Sequence, residues 1–138
     1  VVVHDGARPL TPRRLIHDLL VKVMETEAAI PAVPVKETIK QVNDNGVIIH
    51  TPLREQLWVA QTPQAFRTER LVQAYVLALK TASLFTDDAS VVEWTGYPVA
   101  VVRGDEENIK LTIPQDLQLA EWILKQRRGA ADEDRNRI

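Results

Sequence analysis

Val1-Val2-Val3-His4-Asp5-Gly6-Ala7-Arg8-Pro9-Leu10, or VVVHDGARPL, is the stretch on which the reading of this chain turns. Three β-branched residues in succession predict a short strand buried on both faces, as in a parallel sheet covered by helices. The run then breaks into His4, Asp5, a flexible Gly6 and Arg8. The strand therefore delivers an acid and a guanidinium to its carboxyl end, where open α/β sheets bind their ligands. A carboxylate so placed accepts hydrogen bonds from sugar hydroxyls or from the water shell of Mg²⁺. Arg8 either clamps an oxyanion through two bonds or pairs with Asp5. A loop salt bridge beside a turn glycine is the plainer alternative.

Working outward, Thr11-Pro12 reads as a helix start, with Thr11 as N-cap and Pro12 in the first turn. Leu15, Leu19 and Val23, joined by Ile16 and Leu20, form the apolar stripe of a helix ending near Thr26. AAIPAVPV (28–35) predicts the next strand, with Pro31 and Pro34 restricting its pairing. ETIKQV and VIIHT flank NDNG, whose Asn45-Gly46 pair is a strong hairpin signal. This hairpin reads as an arm projecting from the body. LWVAQTPQAF (57–66) returns the chain to the core, and a helix over 68–81 follows. In FTDDASVVEWTG, Thr86 is the expected N-cap, Asp87 and Asp88 lie near the positive end of the helix dipole, and Gly96 is the stop. PVAVV predicts a strand and NIKLT a short extended piece. Pro114 opens a last helix with stripe Leu117, Ala120 and Leu124. From Gly129 the polar sequence is expected to fray. Strands alternating with helices predict an α/β fold with a mostly parallel sheet. The expected organisation is one domain over 1–128 with a disordered tail at 129–138.

Composition narrows the chemistry. The chain has 138 residues, 45% hydrophobic and 26% charged, with a net charge of −2. That describes a soluble globular protein with no global basic field to attract nucleic acid or an anionic membrane. There is no cysteine, so thiol catalysis, cysteine-ligated zinc and disulfides are excluded. No apolar run approaches the ~20 residues that span a bilayer, and no signal peptide is expected. The chain opens in mid-strand without a methionine, which leads us to expect a missing amino-terminal part. His4, His17 and His50 lack metal-ligand spacing, and Trp58, Trp94 and Trp122 read as core residues rather than a base-stacking platform. Alternation in ENIKLT aims Lys110 away from the core, opposite Ile109 and Leu111. A solvated lysine is the plain reading of that position. Thr62, Thr86 and Arg54 are ambiguous between turn or cap residues and anion ligands, although a helix amino terminus at Thr86 is a ready phosphate site.

In order along the chain, HDGARP, PVKETIK, REQLWVAQTPQAF, TDDAS and ENIKLT-x-P-x-DL closely resemble the 2-C-methyl-D-erythritol 4-phosphate cytidylyltransferase family, from Val1 to about Leu124. The resemblance implies a Rossmann-like nucleotidyltransferase fold with an arm over about 36–56. It also implies CMP transfer from CTP to methylerythritol phosphate, giving CDP-methylerythritol and pyrophosphate in the non-mevalonate isoprenoid pathway. Carried over to matching positions, Asp5 would lie by the ribose, the Mg²⁺-bound phosphates and the methylerythritol. Gly6 or Ala7 would offer backbone to the ribose, and Arg8 would shape the polyol pocket. Thr38 and Arg54 would reach from the arm into the neighbouring subunit of a homodimer, Arg54 binding the substrate phosphate. Thr62 and Thr86 would complete that pocket, and Lys110 would neutralise phosphate charge. The resemblance further implies a divalent cation such as Mg²⁺, bridging phosphates rather than held in a protein cage. The expected location is the bacterial cytoplasm, or a plastid in a plant or alga.

One departure stands out: the family's glycine-rich nucleotide loop, with its own arginine and lysine, does not occur in this sequence. The isolated chain is therefore expected to retain the polyol half-site without productive CTP binding. The alternatives are a ribitol 5-phosphate cytidylyltransferase and a non-catalytic dimerisation or regulatory domain. REQLWVAQTPQAF and TDDAS fit the methylerythritol family better than the ribitol one. The joint presence of Asp5, Arg8, Arg54, Thr86 and Lys110 speaks against a decayed site.

Overall fold

The computed structural model describes residues 1–81 and 84–135, with side chains described up to Gly129. The central strand is β2, Ala28–Pro34, rather than the opening valines. Its small and branched residues are buried on both faces, with Ala28 and Ile30 in one apolar cluster and Ala29 in another. The helix α1, Arg13–Thr26, covers the second face with Leu19 and Val23. Leu15, Leu19 and Val23 are its buried residues, as their spacing predicts. Truncating Leu19, which is fully buried, to alanine is expected to cost roughly 2–5 kcal/mol. The opposite face is covered by α2, Thr68–Ala78, and α3, Asp88–Trp94. They bring Leu71, Ala74, Ala78, Val91 and Val92 against Phe66.

Four further strands complete the main sheet: β1 (Val2–Val3), β5 (Trp58–Ala60), β6 (Gln64–Phe66) and β7 (Ala100–Arg103). The order is β1-β6-β2-β5, with β7 on the free side of β2. The mostly parallel sheet expected from the sequence is a mixed one here, because among the described residues only the β2–β7 pairing is parallel. The reason lies in the insertion of β6. β1, α1 and β2 make a right-order strand–helix–strand unit, but β6 slots between the two strands and runs antiparallel to both. β1, β2 and β7 thus share one direction while β5 and β6 oppose it. Pro31 is tolerated in this central strand because it falls where the partner of β2 changes from β6 to β5. No ladder donor is required at that point.

β1 itself is only lightly covered: Val1 and Val2 are exposed, so the expectation of a strand buried on both faces fails there and holds for β2. The expected extended piece at NIKLT is not a strand but a loop packed under the last helix, α4, Pro114–Arg135. Here Ala120 and Ile123 are buried together with Leu10, and the partly buried Ile109 and Leu111 pack against them. Leu117 and Leu124 stay exposed, which shifts the apolar stripe of α4 from the one its leucines suggest. The helix runs on past Gly129, where the sequence predicts fraying; residues 136–138 of that tail lie outside the described residues. The three tryptophans are not core: Trp58, Trp94 and Trp122 are 45%, 47% and 56% exposed. Trp58 lies under the Arg103 guanidinium at 5.7 Å, and Trp94 meets Phe85 edge to face.

The arm leaves the body after β2. β3, Gln41–Val42, and β4, Ile48–His50, form a separate two-stranded ribbon around Gly46, which takes φ 75° as the Asn-Gly signal predicts. A short 3₁₀ turn at Arg54–Gln56 brings the chain back to β5. Every residue from Glu37 to Thr51 is exposed. Among the described residues no helix is long and apolar enough to cross a membrane.

Candidate functional site at the carboxyl edge of the sheet

Because β1 and β7 run in one direction and β6 in the other, three loops meet at one edge. They are His4–Arg8 after β1, Gln61–Pro63 before β6, and Gly104–Leu111 after β7. The start of α3 joins them. Between them lies an open cavity of about 460 Å³ whose walls include Asp5, Arg8, Thr62, Gln64, Thr86 and Lys110. Five of the residues singled out from the sequence are therefore brought together, with Gly6 and Ala7 in the adjoining turn. The other two, Thr38 and Arg54, sit on the exposed arm, where Arg54 donates to the Lys36 carbonyl at 3.0 Å. Within one chain they do not reach this cavity.

At the centre of the cavity wall, the Lys110 ammonium lies 2.9 Å from the Asp5 carboxylate. The hydrogen bond from Lys110, aided by its charge, holds the Asp5 pKa below the usual carboxylate value. The stabilisation linked to this shift is present above the unfolded pKa of about 3.9 and is lost as the pH falls through the lower folded value. Asp5 is thus paired with Lys110 rather than with Arg8. Arg8 is neither an exposed oxyanion clamp nor the partner of Asp5. Its NH1 donates to the Asn108 carbonyl at 2.6 Å, and its buried Nε has no partner among the described residues. Burial lowers the Arg8 pKa, an effect partly offset by the charge of Asp5.

Thr62 belongs to the wall, but its hydroxyl is occupied within the protein. It accepts the Asp5 N–H at 3.0 Å and lies 3.1 Å from His4 Nδ1. His4 Nε2 is 3.0 Å from the Arg8 carbonyl, which can only accept. In the neutral tautomer that suits this carbonyl, Nε2 carries the proton and Nδ1 accepts from the Thr62 hydroxyl. The Ala7 carbonyl accepts the Leu111 N–H at 2.8 Å, tying the two loops together. Gly6 takes an ordinary backbone conformation, and a Cβ there would meet nothing within 4 Å, so alanine fits as well.

The start of α3 differs from expectation. Its N-cap is Asp87, not Thr86: the Asp87 carboxylate accepts the Ser90 N–H at 2.9 Å in a capping box. Gln64 donates to the same carboxylate at 2.8 Å and accepts the Ala89 N–H at 3.1 Å. The Tyr75 hydroxyl donates to Asp88. With the Ala89 and Ser90 N–H groups taken by Gln64 and Asp87, this helix start offers less to a phosphate than its sequence suggests. Thr86 still lines the cavity. Thr11 is likewise not a cap; Pro12 holds that position, and the Thr11 hydroxyl is spent on Asn108 at 2.9 Å.

Sequence reasoning missed Gln61, Gln64 and Asn108, all three buried polar residues of these loops and the strand between them. Gln61 copies a strand partner: its amide donates to the Asp105 carbonyl at 2.8 Å and accepts the Asp105 N–H at 3.1 Å. Gly104 lies beneath it, and a Cβ there would sit 2.5 Å from Gln61 Oε1 and 3.0 Å from the Ala32 carbonyl. The available signal was polarity inside otherwise apolar stretches of QTPQ and NIKL, which the protein interior accepts only with partners supplied.

An α/β chain that converges a carboxylate, an ammonium and a guanidinium on the carboxyl edge of its sheet has the layout of a site for a phosphorylated, hydroxylated ligand. The IspD family model, 2-C-methyl-D-erythritol 4-phosphate cytidylyltransferase, matches residues 1–126, and the chain belongs to that family. It is 55% identical to the 2-C-methyl-D-erythritol 4-phosphate cytidylyltransferase of Bacillus licheniformis, over 91% of this chain and 54% of that protein. The enzyme of the same name from Halalkalibacterium halodurans is 51% identical over 92% of this chain and 55% of its own length. Among solved structures, the cytidylyltransferase of Thermus thermophilus superposes with a TM-score of 0.81 at 38% identity, covering 91% of this chain and 61% of its own. The 4-diphosphocytidyl-2C-methyl-D-erythritol synthase of Anaerococcus prevotii gives 0.84 at 31% identity, covering 91% and 56%. The chain spans about half the length of the curated relatives it matches.

Proposed function

We propose that in the full-length protein this chain supplies the polyol-phosphate half of a cytidylyltransferase site. The reaction is transfer of CMP from CTP to 2-C-methyl-D-erythritol 4-phosphate, giving CDP-methylerythritol and pyrophosphate. The observation that carries this reading is the Asp5–Lys110 pair on the wall of a cavity shared with Arg8, Thr62 and Thr86, in a chain of this family. A phosphate oxygen of the polyol phosphate attacks the α-phosphorus of CTP in line. The new P–O bond forms as the bond to pyrophosphate breaks, and pyrophosphate leaves with its electron pair. No side chain needs to act as acid or base; catalysis is positioning and charge stabilisation. Lys110 neutralises phosphate charge, Asp5 orients hydroxyls or metal-bound water, and Arg8 holds the loop that carries Lys110.

The residues present fit a magnesium ion that keeps most of its own ligands. Among the described residues no group of three His, Cys, Asp or Glu could hold a metal. Asp87 and Asp88 are already engaged by Gln64, Ser90 and Tyr75. Asp5, on the cavity wall, would face such an ion by giving up its pair with Lys110, and water and phosphate would supply the remaining ligands. Held with the help of Asp5, such an ion would supply positive charge that offsets the phosphates.

The arm is the proposed dimer contact, carrying Thr38 and Arg54 to a second subunit. Its support is the exposure of Ile39, Val42, Val47, Ile48 and Ile49 on a two-stranded ribbon, an element that is marginal in water by itself. The proposed location is the cytoplasm of a bacterium, or a plastid in a plant or alga; the bacterial source of the similar enzymes supports the first. Pyrophosphate release by the full-length protein, compared between methylerythritol phosphate and ribitol phosphate, tests the reaction. Turnover with methylerythritol phosphate well above ribitol phosphate is expected, and preference for ribitol phosphate would replace the assignment. Calorimetric titration of CTP into the isolated chain should give no micromolar binding, because the glycine-rich loop is not part of this sequence.

A further inference from the structure

Lys110 sits on a loop without strand or helix structure, yet its ammonium meets Asp5 at hydrogen-bond distance. Something must hold that loop. Asn108, two residues before Lys110, has no exposed surface at all. Its side-chain Nδ2 donates to the Thr62 carbonyl at 2.9 Å, and its Oδ1 accepts the Thr11 hydroxyl at 2.9 Å. Its own carbonyl accepts Arg8 NH1 at 2.6 Å, and its N–H donates to the Asp105 carbonyl at 3.0 Å. All four polar positions of one residue are therefore used, and three of them reach segments 46, 97 and 100 residues away in the chain.

The chemistry asks for an amide. The Thr62 carbonyl only accepts, so it must face an N–H, and the Thr11 hydroxyl then finds the amide oxygen. Aspartate would set a buried carboxylate against a carbonyl oxygen, and alanine would leave the Thr62 carbonyl without its donor. The shape of the site points the same way, because the loop of Asn108 and the two loops it bonds carry the cavity wall: Lys110 on the first, and Asp5 with Arg8, and Thr62, on the others. We infer that Asn108 is a positioning residue, a buried knot that fixes the Lys110 loop against the His4–Arg8 and Gln61–Pro63 loops. Through them it sets where the ammonium lies relative to Asp5. This inference rests on the catalytic role proposed for Lys110 only in its kinetic consequence.

The test combines position and rate in the full-length protein. In Asn108→Asp the crystal structure should show the Lys110 ammonium withdrawn from Asp5 beyond salt-bridge distance. Turnover should fall by about 100-fold, the effect of a displacement of about an ångström at a reacting centre. Thr11→Val, which removes a hydroxyl that bonds Asn108 Oδ1 at 2.9 Å and the Arg8 carbonyl at 3.2 Å, provides a milder variant should the first fail to fold; a fall of about five-fold is expected. A structural role alone would also slow the enzyme, so the decisive reading is a double-mutant cycle. Combined with Lys110→Ala, either change should lower turnover no further than Lys110→Ala alone. Fully multiplicative losses, or an undisturbed Lys110–Asp5 pair in either crystal structure, overturn the inference. If Lys110→Ala itself leaves turnover unchanged, the proposed function fails, while the crystallographic reading still decides the positioning role.

Discussion

Two loop regions of this chain, the junction around Asn108 and the arm from Glu37 to Thr51, are built from similar material and end in opposite states. At the junction, Gln61 and Asn108 are buried, and each bonds backbone groups far along the chain. In the arm every residue is exposed, and its hydrogen bonds are local, such as Lys40 to Thr51 and the N–H groups of Asn45 and Val47 to the Asn43 side chain. The junction is finished within one chain and holds the groups proposed to act on the ligand in place. The arm is a ribbon with an apolar side that still faces water. Half of the proposed site is thus set by folding, and the other half awaits assembly.

The strongest way to break this comparison is a subunit-mixing experiment. Lys110→Ala is expected to lower kcat/KM by about 10²–10³-fold, as for other removals of a charge-stabilising donor. Arg54→Ala should chiefly raise the KM for the polyol phosphate. If Arg54 acts in trans, mixing and reassembling the two impaired variants regenerates one intact site per mixed dimer; at polyol phosphate far below the raised KM of the Arg54 variant, a statistical mixture should show about a quarter of wild-type activity. No recovery would return Arg54 to the arm as a surface residue.

Glycines sharpen the contrast at the level of stability. Gly104→Ala drives a methyl into Gln61 and the Ala32 carbonyl, and should destabilise by about 1–3 kcal/mol with a clear drop in Tm. Gly46→Ala meets no atoms but must keep φ 75°, a local strain of about 1 kcal/mol or more. Because the arm is not packed on the core, the Tm of the body should hardly move.

Tyrosine titration reads the rim of the cavity with the smallest expected signal. The bond to Asp88, together with burial and the carboxylate charge, pushes the Tyr75 pKa up to about 12. The stabilisation is present below the unfolded value of about 10 and disappears as the pH rises through the folded value. Tyr97 is raised as well, by its bond to Glu27. Absorbance titration of these two tyrosines should show both ionising above pH 10, and Asp88→Asn should return one of them toward 10. An unchanged titration would mean that Asp88 does not hold Tyr75.

The sequence makes legible whatever is local. Leu15, Leu19 and Val23 at helical spacing locate α1, and Asn45-Gly46 locates the hairpin. Asp5 and Lys110 are visible as candidates, but only the family resemblance joins them, since 105 residues separate the two. Strand direction is not legible because nothing in VVV or QAF records that β6 inserts between β1 and β2. The tryptophans mislead because large aromatic rings suit a core and an interface equally. Asp87 displaces Thr86 as the cap because its carboxylate serves both Ser90 and Gln64. Asn108 and Gln61 escape notice since most of their partners are backbone groups that carry no residue-type signature.

The contact between Asp5 and Lys110 also bears on how ligands arrive. Each charge already has a mate, so an anion approaching the ammonium must strand the carboxylate, and a cation approaching the carboxylate must strand the ammonium. Arriving together, the two exchange partners and strand neither. If the proposed metal and phosphate both bind here, linkage requires each to raise the affinity of the other by the same factor, and a metal–phosphate complex would be admitted more readily than either component in isolation.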